Sequence, residues 1–207
     1  MPVTWKFSQG GLSRHDQMVD GRSVIREDRA SKATTGFPSS IGFPPIARTD
    51  ARILILGSLP GKASLAACEY YAHPQNAFWK IMRILCGAEG SYRARGERLM
   101  DRGIAVWDVL ANSVRPGSMD ADIRIETAKP NDFERFLSTH DRIGLVCFNG
   151  KKAEQLFRRL VTLDGLTAKP QLVPLPSTSP AYASLSFNKK LAAWRNAIAR
   201  AEPEERR

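Results

Sequence analysis

Four short apolar runs divide the chain: 53–56 (ILIL), 104–107 (IAVW), 143–148 (IGLVCF) and 172–175 (LVPL). Runs of this length with few polar breaks predict buried parallel strands. Between them the apolar residues fall at helical spacing. Phe78, Ile81, Met82 and Leu85 predict a helix over 76–85, and Leu99 with Met100 mark the inner side of a charged helix over 92–101. Phe133, Phe136 and Leu137 predict a helix opened by Asn131 as N-cap. Ala153, Leu156, Phe157 and Leu160 predict one running to about residue 163, and Leu191, Trp194 and Ile198 one over 187–200. Residues 42–46 (GFPPI) read as an extended lead-in, since each X-Pro step disfavours helix. Residues 111–120 carry the composition of a loop, Arg115, Pro116 and Gly117 among them.

Strands alternating with helices predict an α/β fold: a single domain with a central four-stranded, mostly parallel sheet and helices on both faces. That domain spans 41–201. Residues 1–40, with charges of alternating sign and no lasting apolar period, are expected to form a flexible extension, and 202–207 a charged tail. Each predicted strand ends in polar or small residues: GSLPG, WDVLANS, FNGKK and PSTSPA. In this architecture those ends share one edge, which predicts a single ligand cleft.

The first strand end is the richest. Gly57, Ser58, Leu59, Pro60 and Gly61 make a tight turn whose N–H groups can also face a ligand. Tyr70 and Tyr71 are adjacent and cannot share a face, so one packs while the other lines the cleft, where it can stack on a planar base. Asn149 can cap the following helix or present its amide to a base edge. Lys151 and Lys152 are solvated or meet a phosphate. Ser177, Thr178 and Ser179 form an ST-turn or bind phosphates, and the rigid loop through Pro180 and Ala181 can wedge into a duplex.

Charge adds a partner class. A formal net charge of +10 and a pI near 9.9 fit a polyanionic partner, nucleic acid being the commonest, or simply a basic enzyme. Other classes lose support. Cys68, Cys86 and Cys147 form no CxxC pair, and His15, His73 and His140 are scattered, so neither a disulfide framework nor a metal site is expected. GxGxxG and GxxxxGK[ST] are absent, and no Ser-His-Asp arrangement is visible. Glu69 and Asp108 are carboxylates near the cleft, which do not by themselves establish glycosidase chemistry. No run reaches the ~18 apolar residues of a membrane span, and no secretory h-region opens the chain. The expectation is a cytoplasmic monomer without cofactor.

GSLPG followed by YYAHPQNAFWK resembles the uracil-DNA glycosylase superfamily, nearest to its mismatch-specific and hypoxanthine-removing branches. FNGKKA and PSTSPA resemble later segments, so the likeness covers about 43–200. The resemblance implies an enzyme that flips a deaminated base, uracil or hypoxanthine, out of DNA, hydrolyses its N-glycosidic bond and leaves an abasic site. It implies that Tyr71 stacks on the flipped base, that the backbone of residues 58–61 walls the pocket and that Asn149 reads the base edge. It also implies that residues 177–181 grip phosphates and penetrate the helix. Leu59 stands where the mismatch-specific branch has a water-positioning Asn, and Leu175 stands where the second motif opens with a polar residue. The hypoxanthine-removing branch shares the apolar first motif and implicates the Asn of HPxN, which moves the catalytic role to Asn76. No lysine stands out as a Schiff-base nucleophile, so a monofunctional glycosylase is implied. The alternative is a low-turnover binder of damaged or abasic sites on the same fold.

Overall fold

Ile53, Leu54, Ile55 and Leu56 are each exposed by 2% or less, the burial of a strand covered on both faces. The computed structural model describes residues 39–117 and 119–201, all within one unit spanning 36–207. The strands are β1 (Ser39–Ile41), β2 (Ile53–Gly57), β3 (Ile104–Asp108), β4 (Leu110–Val114), β5 (Lys129–Pro130), β6 (Leu145–Asn149) and β7 (Gln171–Leu175). The helices are α1 (Lys62–Ala67), α2 (Phe78–Cys86), α3 (Tyr92–Asp101), α4 (Phe133–Thr139), α5 (Lys151–Leu160) and α6 (Phe187–Arg200). The main sheet is parallel in the order β3-β2-β6-β7. From β2 the chain moves outward to β3, then crosses back over β2 to β6. The strand order therefore reverses between β2 and β6, and such a switch point opens a crevice at the carboxyl ends of its strands.

Register explains the two covered faces. Leu56 pairs with Trp107 on one side and Phe148 on the other, so the three share a face. Trp107 lies 5.3 Å from Phe133 and 4.7 Å from Phe136, and Phe148 lies 5.2 Å from Phe157, which seats α4 and α5 there. A separate aromatic set joins Phe78 of α2 to Trp194 of α6, 6.0 Å apart, and carries none of those rings. Both residues are fully buried, and truncating either to Ala costs about 3–5 kcal/mol. Among the described residues, no helix is long and apolar enough to cross a membrane.

Five local expectations change. α2 begins at Phe78 rather than Asn76, with Ala77 as its N-cap, because Asn76 Oδ1 turns to accept the Phe78 N–H in a local turn ahead of the helix. The N-cap of α4 is Asp132, whose side chain accepts from Arg135 N, while Asn131 Nδ2 donates to Asp108 O. α5 stops at Leu160, short of 163. The expected loop over 111–120 contains most of β4, which joins β1 and β5 in a small antiparallel sheet. Its sequence, LANSV, lacks β-branched residues until the last position, and its pairing comes from distant Ser39–Ile41. Ser39 and Ser40, expected in the flexible extension, pair with Val114 and Ser113. Residues 1–38 and 202–207, for which an extension and a tail were expected, lie outside the described residues.

Candidate active site

A cavity of about 480 Å³ opens where β2 and β6 end. Gly57 closes β2 at its floor. A Cβ there would collide with Asp108 Oδ1 and stand 3.1 Å from the Tyr71 hydroxyl, so only glycine lets those two groups converge. The turn that follows is held by the end of β3 and by side chains that share the cavity wall. Val109 N donates to Gly57 O at 2.8 Å and Leu110 N to Ser58 O at 3.1 Å, carrying the ladder past the end of β3. The Arg115 guanidinium donates to Leu59 O at 3.2 Å and also to Pro60 O. Ser58 Oγ donates to Asp120 Oδ1 at 2.5 Å. The Ser58 hydroxyl and the turn's carbonyls are thus engaged in shaping the wall. Leu59, 5% exposed, offers it an apolar side chain, and Gly61 leads into α1.

Tyr70 and Tyr71 point different ways, although both border the cavity. Tyr70 is buried, with its hydroxyl against Phe43 O and Pro44 O, both at 3.2 Å. Tyr71 lines the cavity from a left-handed backbone at φ 56°, a costly conformation for a bulky residue and one that concentrates at functional sites. Its ring stacks on Phe78 at 4.0 Å, which fixes the plane it presents. Its hydroxyl is buried and unpaired. Burial, then the nearby Asp108 carboxyl, pushes its pKa far up, and the Asn149 amide, close to it without reaching hydrogen-bond geometry, offsets part of the rise. Asn76 also lines the cavity. Its Oδ1 is held by Phe78 N at 3.0 Å, which leaves the Nδ2 amide as the group it can offer a ligand. Glu69 lies apart, in an ion pair with Arg95 at 3.5 Å.

On the far side, Asn149 does not cap α5; Gly150 occupies that position at φ 100°. A Cβ on Gly150 would lie 2.9 Å from Ser177 Cβ, so glycine permits the close approach of the 177–181 loop. Asn149 Oδ1 accepts from Thr178 N and Asn149 Nδ2 donates to Thr178 Oγ1, each at 2.8 Å. Thr178 O accepts from Ala77 N at 2.9 Å. Thr178 is 1% exposed with all its polar groups paired, so it locks the loop and does not reach a phosphate. The same bonds leave Asn149 a single N–H to turn toward a base. Ser177 Oγ accepts from Ser179 N and Ser179 Oγ from Ala181 N, a pair of nested turns. Two residues of α6 hold the loop's ends: Trp194 Nε1 donates to Pro176 O at 3.0 Å and Lys190 Nζ to Tyr182 O at 2.6 Å. Pro180 and Ala181 are exposed at the rim beside Tyr182, and Lys151 is exposed at the start of α5 with Lys152 half-buried next to it. Leu175 is buried under the loop.

Asp108 carries more than its sequence suggested. It ends β3, is 3% exposed, lines the cavity and leaves Oδ2 without a partner. Burial pushes its pKa up to about 8; the Asp120 charge adds to the rise and the Arg115 guanidinium opposes it. Arg115, expected on a loop, is 5% exposed and braces the first turn. Asp120, its neighbour in charge, was not singled out at all. One signal in the sequence pointed to Asp108: an acidic residue directly following four apolar ones, where a buried strand ends.

An apolar-walled cavity at a switch point, with an aromatic plane, a few fixed amides and a buried carboxyl, defines an α/β enzyme acting on a planar polar group. The profile of the uracil DNA glycosylase superfamily matches residues 44–200, and the chain belongs to that superfamily. The chain is 34% identical over 152 residues to "Hypoxanthine DNA glycosylase" of Methanosarcina acetivorans, covering 72% of this chain and 92% of the relative. It is 38% identical over 115 residues to the protein of the same name from Methanosarcina barkeri, covering 54% and 72%. The solution NMR structure of a candidate uracil DNA glycosylase from Methanosarcina acetivorans superposes with a TM-score of 0.65 at 31% identity, over 80% of this chain and all of that one.

Proposed function

We propose that this DNA glycosylase removes hypoxanthine from DNA by hydrolysing its N-glycosidic bond, and accepts uracil as a second substrate. The observation that carries the reading is the meeting of Tyr71, Asn76 and the 177–181 loop around one cavity at the β2–β6 switch point. The names of the curated relatives support hypoxanthine, and a cavity of about 480 Å³ leaves room for a purine. The name borne by the structural relative supports uracil.

In this reading the base leaves the duplex and lies against the Tyr71 ring, whose other side Phe78 backs. As the C1′–N bond breaks, its electron pair passes to the base, and water adds to the sugar carbon. The Asn76 Nδ2 amide donates to the base as negative charge develops on it. Ser177, Ser179, Lys151 and Lys152 hold phosphates around the flipped nucleotide, and Pro180 with Ala181 enters the gap in the stack. Water, not lysine, attacks the sugar, so the enzyme is monofunctional.

The test is incision of oligonucleotides carrying inosine or deoxyuridine, single-stranded and opposite each base, followed by alkali. Inosine strands are cleaved most efficiently, and borohydride traps no protein–DNA adduct. Asn76→Ala lowers kcat by about 10²–10³, the loss that follows removal of one preorganised donor. Wild-type activity in that variant would leave Asn76 a structural role only, as the acceptor of the Phe78 N–H ahead of α2. A second reading, a low-turnover binder of abasic sites, is favoured by the apolar Leu59 and Leu175 in both motifs. Less than one turnover per enzyme, with tight abasic-site binding, would select it.

A further inference from the structure

Five buried side-chain atoms among the described residues lack a hydrogen-bond partner. Three are arginine Nε atoms, of Arg52, Arg95 and Arg115, whose guanidinium groups bond through other nitrogens. The remaining two are the Tyr71 hydroxyl and Asp108 Oδ2. Both residues line the cavity, and beside Gly57 the Tyr71 hydroxyl and the other oxygen of the same carboxyl, Asp108 Oδ1, approach one point. A buried polar atom without a partner costs about 1–3 kcal/mol, so two such atoms on one cavity floor call for a ligand that pairs them.

We propose that Asp108 hydrogen-bonds the polar edge of the flipped base, with the Tyr71 hydroxyl beside it, and passes a proton to that base as it leaves. This rests on the glycosylase reading above and adds the group that recognises and protonates the base. A neutral carboxyl carries an O–H donor next to a C=O acceptor. Deaminated bases present the complementary lactam, an N–H next to a C=O, so the two close a paired donor–acceptor ring. When the C1′–N bond breaks, both its electrons go to the base, and the Asp108 proton neutralises the charge gathering on the base oxygen. Water bonds C1′, and the proton it sheds returns to the Asp108 carboxylate. The sum is base–sugar plus water to free base plus sugar hydroxyl.

The surroundings keep Asp108 supplied with that proton. Burial dominates, and Asp120 on the turn at 120–122 adds like charge. Arg115 opposes them, its own cation disfavoured by burial and its guanidinium engaged with Leu59 O and Pro60 O. Tyr70 and Tyr71, from the turn after α1, are held neutral by burial, and Asn131 reaches only the Asp108 backbone carbonyl. With a value near 8, the carboxyl is protonated at neutral pH.

The experiment measures kcat/KM against pH on an inosine oligonucleotide, and the affinity for free hypoxanthine by calorimetry, for wild type, Asp108→Asn and Asp108→Ala. Wild type holds a plateau and falls above an apparent pKa near 8. Asp108→Asn keeps a donor and an acceptor, so it binds free hypoxanthine within a few-fold of wild type. It loses about 10²-fold or more in kcat together with the alkaline limb. Asp108→Ala binds the free base at least tenfold more weakly. Wild-type kcat and an unchanged alkaline limb in Asp108→Asn overturn the proton-donor role, and undiminished base binding in Asp108→Ala overturns recognition. A wild-type protein that binds hypoxanthine through Asp108 yet excises nothing retires the glycosylase reading alone. One that binds neither hypoxanthine nor uracil overturns this inference.

Discussion

β3 and β6 flank β2 on either side, and each ends in a buried polar residue facing the same cavity. Asn149, at the end of β6, exchanges two hydrogen bonds of 2.8 Å with Thr178 and so fixes the 177–181 loop. Asp108, at the end of β3, leaves Oδ2 unpaired, and its other oxygen shares the space beside Gly57 with an unpaired tyrosine hydroxyl. Burial at two strand ends thus serves opposite purposes. A satisfied polar pair rigidifies a loop, whereas an unsatisfied one lowers stability and waits for a ligand. The satisfied centre shapes the wall, and the unsatisfied one faces the chemistry.

The largest effect that sharpens this contrast is on pH-dependent stability. The Asp108 carboxyl has a folded value near 8, above its ordinary unfolded value of 3.8. Between those values the folded protein holds a proton that the unfolded chain releases. Wild type therefore loses stability as pH rises from about 4 to about 8, and the penalty is complete above that. Asp108→Asn removes the penalty, which by linkage is of the order of several kcal/mol. Its Tm advantage over wild type should widen across that window and then level off, as melting curves at a series of pH values will show. A constant difference would mean that Asp108 is paired like Asn149.

Asn149→Ala should act in the opposite direction. It strands the buried N–H and hydroxyl of Thr178, costing about 3 kcal/mol in urea unfolding, and it frees the loop, so excision falls with stability. A loss under about 1 kcal/mol would break the contrast from its satisfied side. The smallest effect belongs to Tyr71→Phe. Deleting an unpaired hydroxyl should leave stability unchanged or raise it by up to about 1 kcal/mol, while binding to an inosine oligonucleotide weakens. A clear loss of stability would place that hydroxyl with the satisfied groups.

Much of this was legible before any coordinates. The runs ILIL and IAVW sit in β2 and β3, and the helical spacing of Leu191, Trp194 and Ile198 in α6, because burial on two faces or one imposes those periods. The convergence of GSLPG, FNGKK and PSTSPA on one cavity followed from strand–helix alternation alone. β4 was not legible, since its strand character comes from pairing with Ser39–Ile41 some seventy positions away. Nor were the separate tasks of Asn149 and Thr178. Each looked like a ligand group, and each turned out to be largely taken up by the other.

By itself, then, the sequence determined the parallel sheet, the edge that carries the cleft, and Tyr71 and Asn76 as residues lining it. The sheet and its edge depend on local periodicity and on the rule that such strands end together, whereas Tyr71 and Asn76 came from the resemblance to the glycosylase superfamily. Only the tertiary structure decided which polar residues at that edge are already paired. Hydrogen bonding within the cleft joins positions far apart in the chain, 29 residues in the case of Asn149 and Thr178. An unpaired atom such as Asp108 Oδ2 can be recognised only once every possible partner has been placed around it.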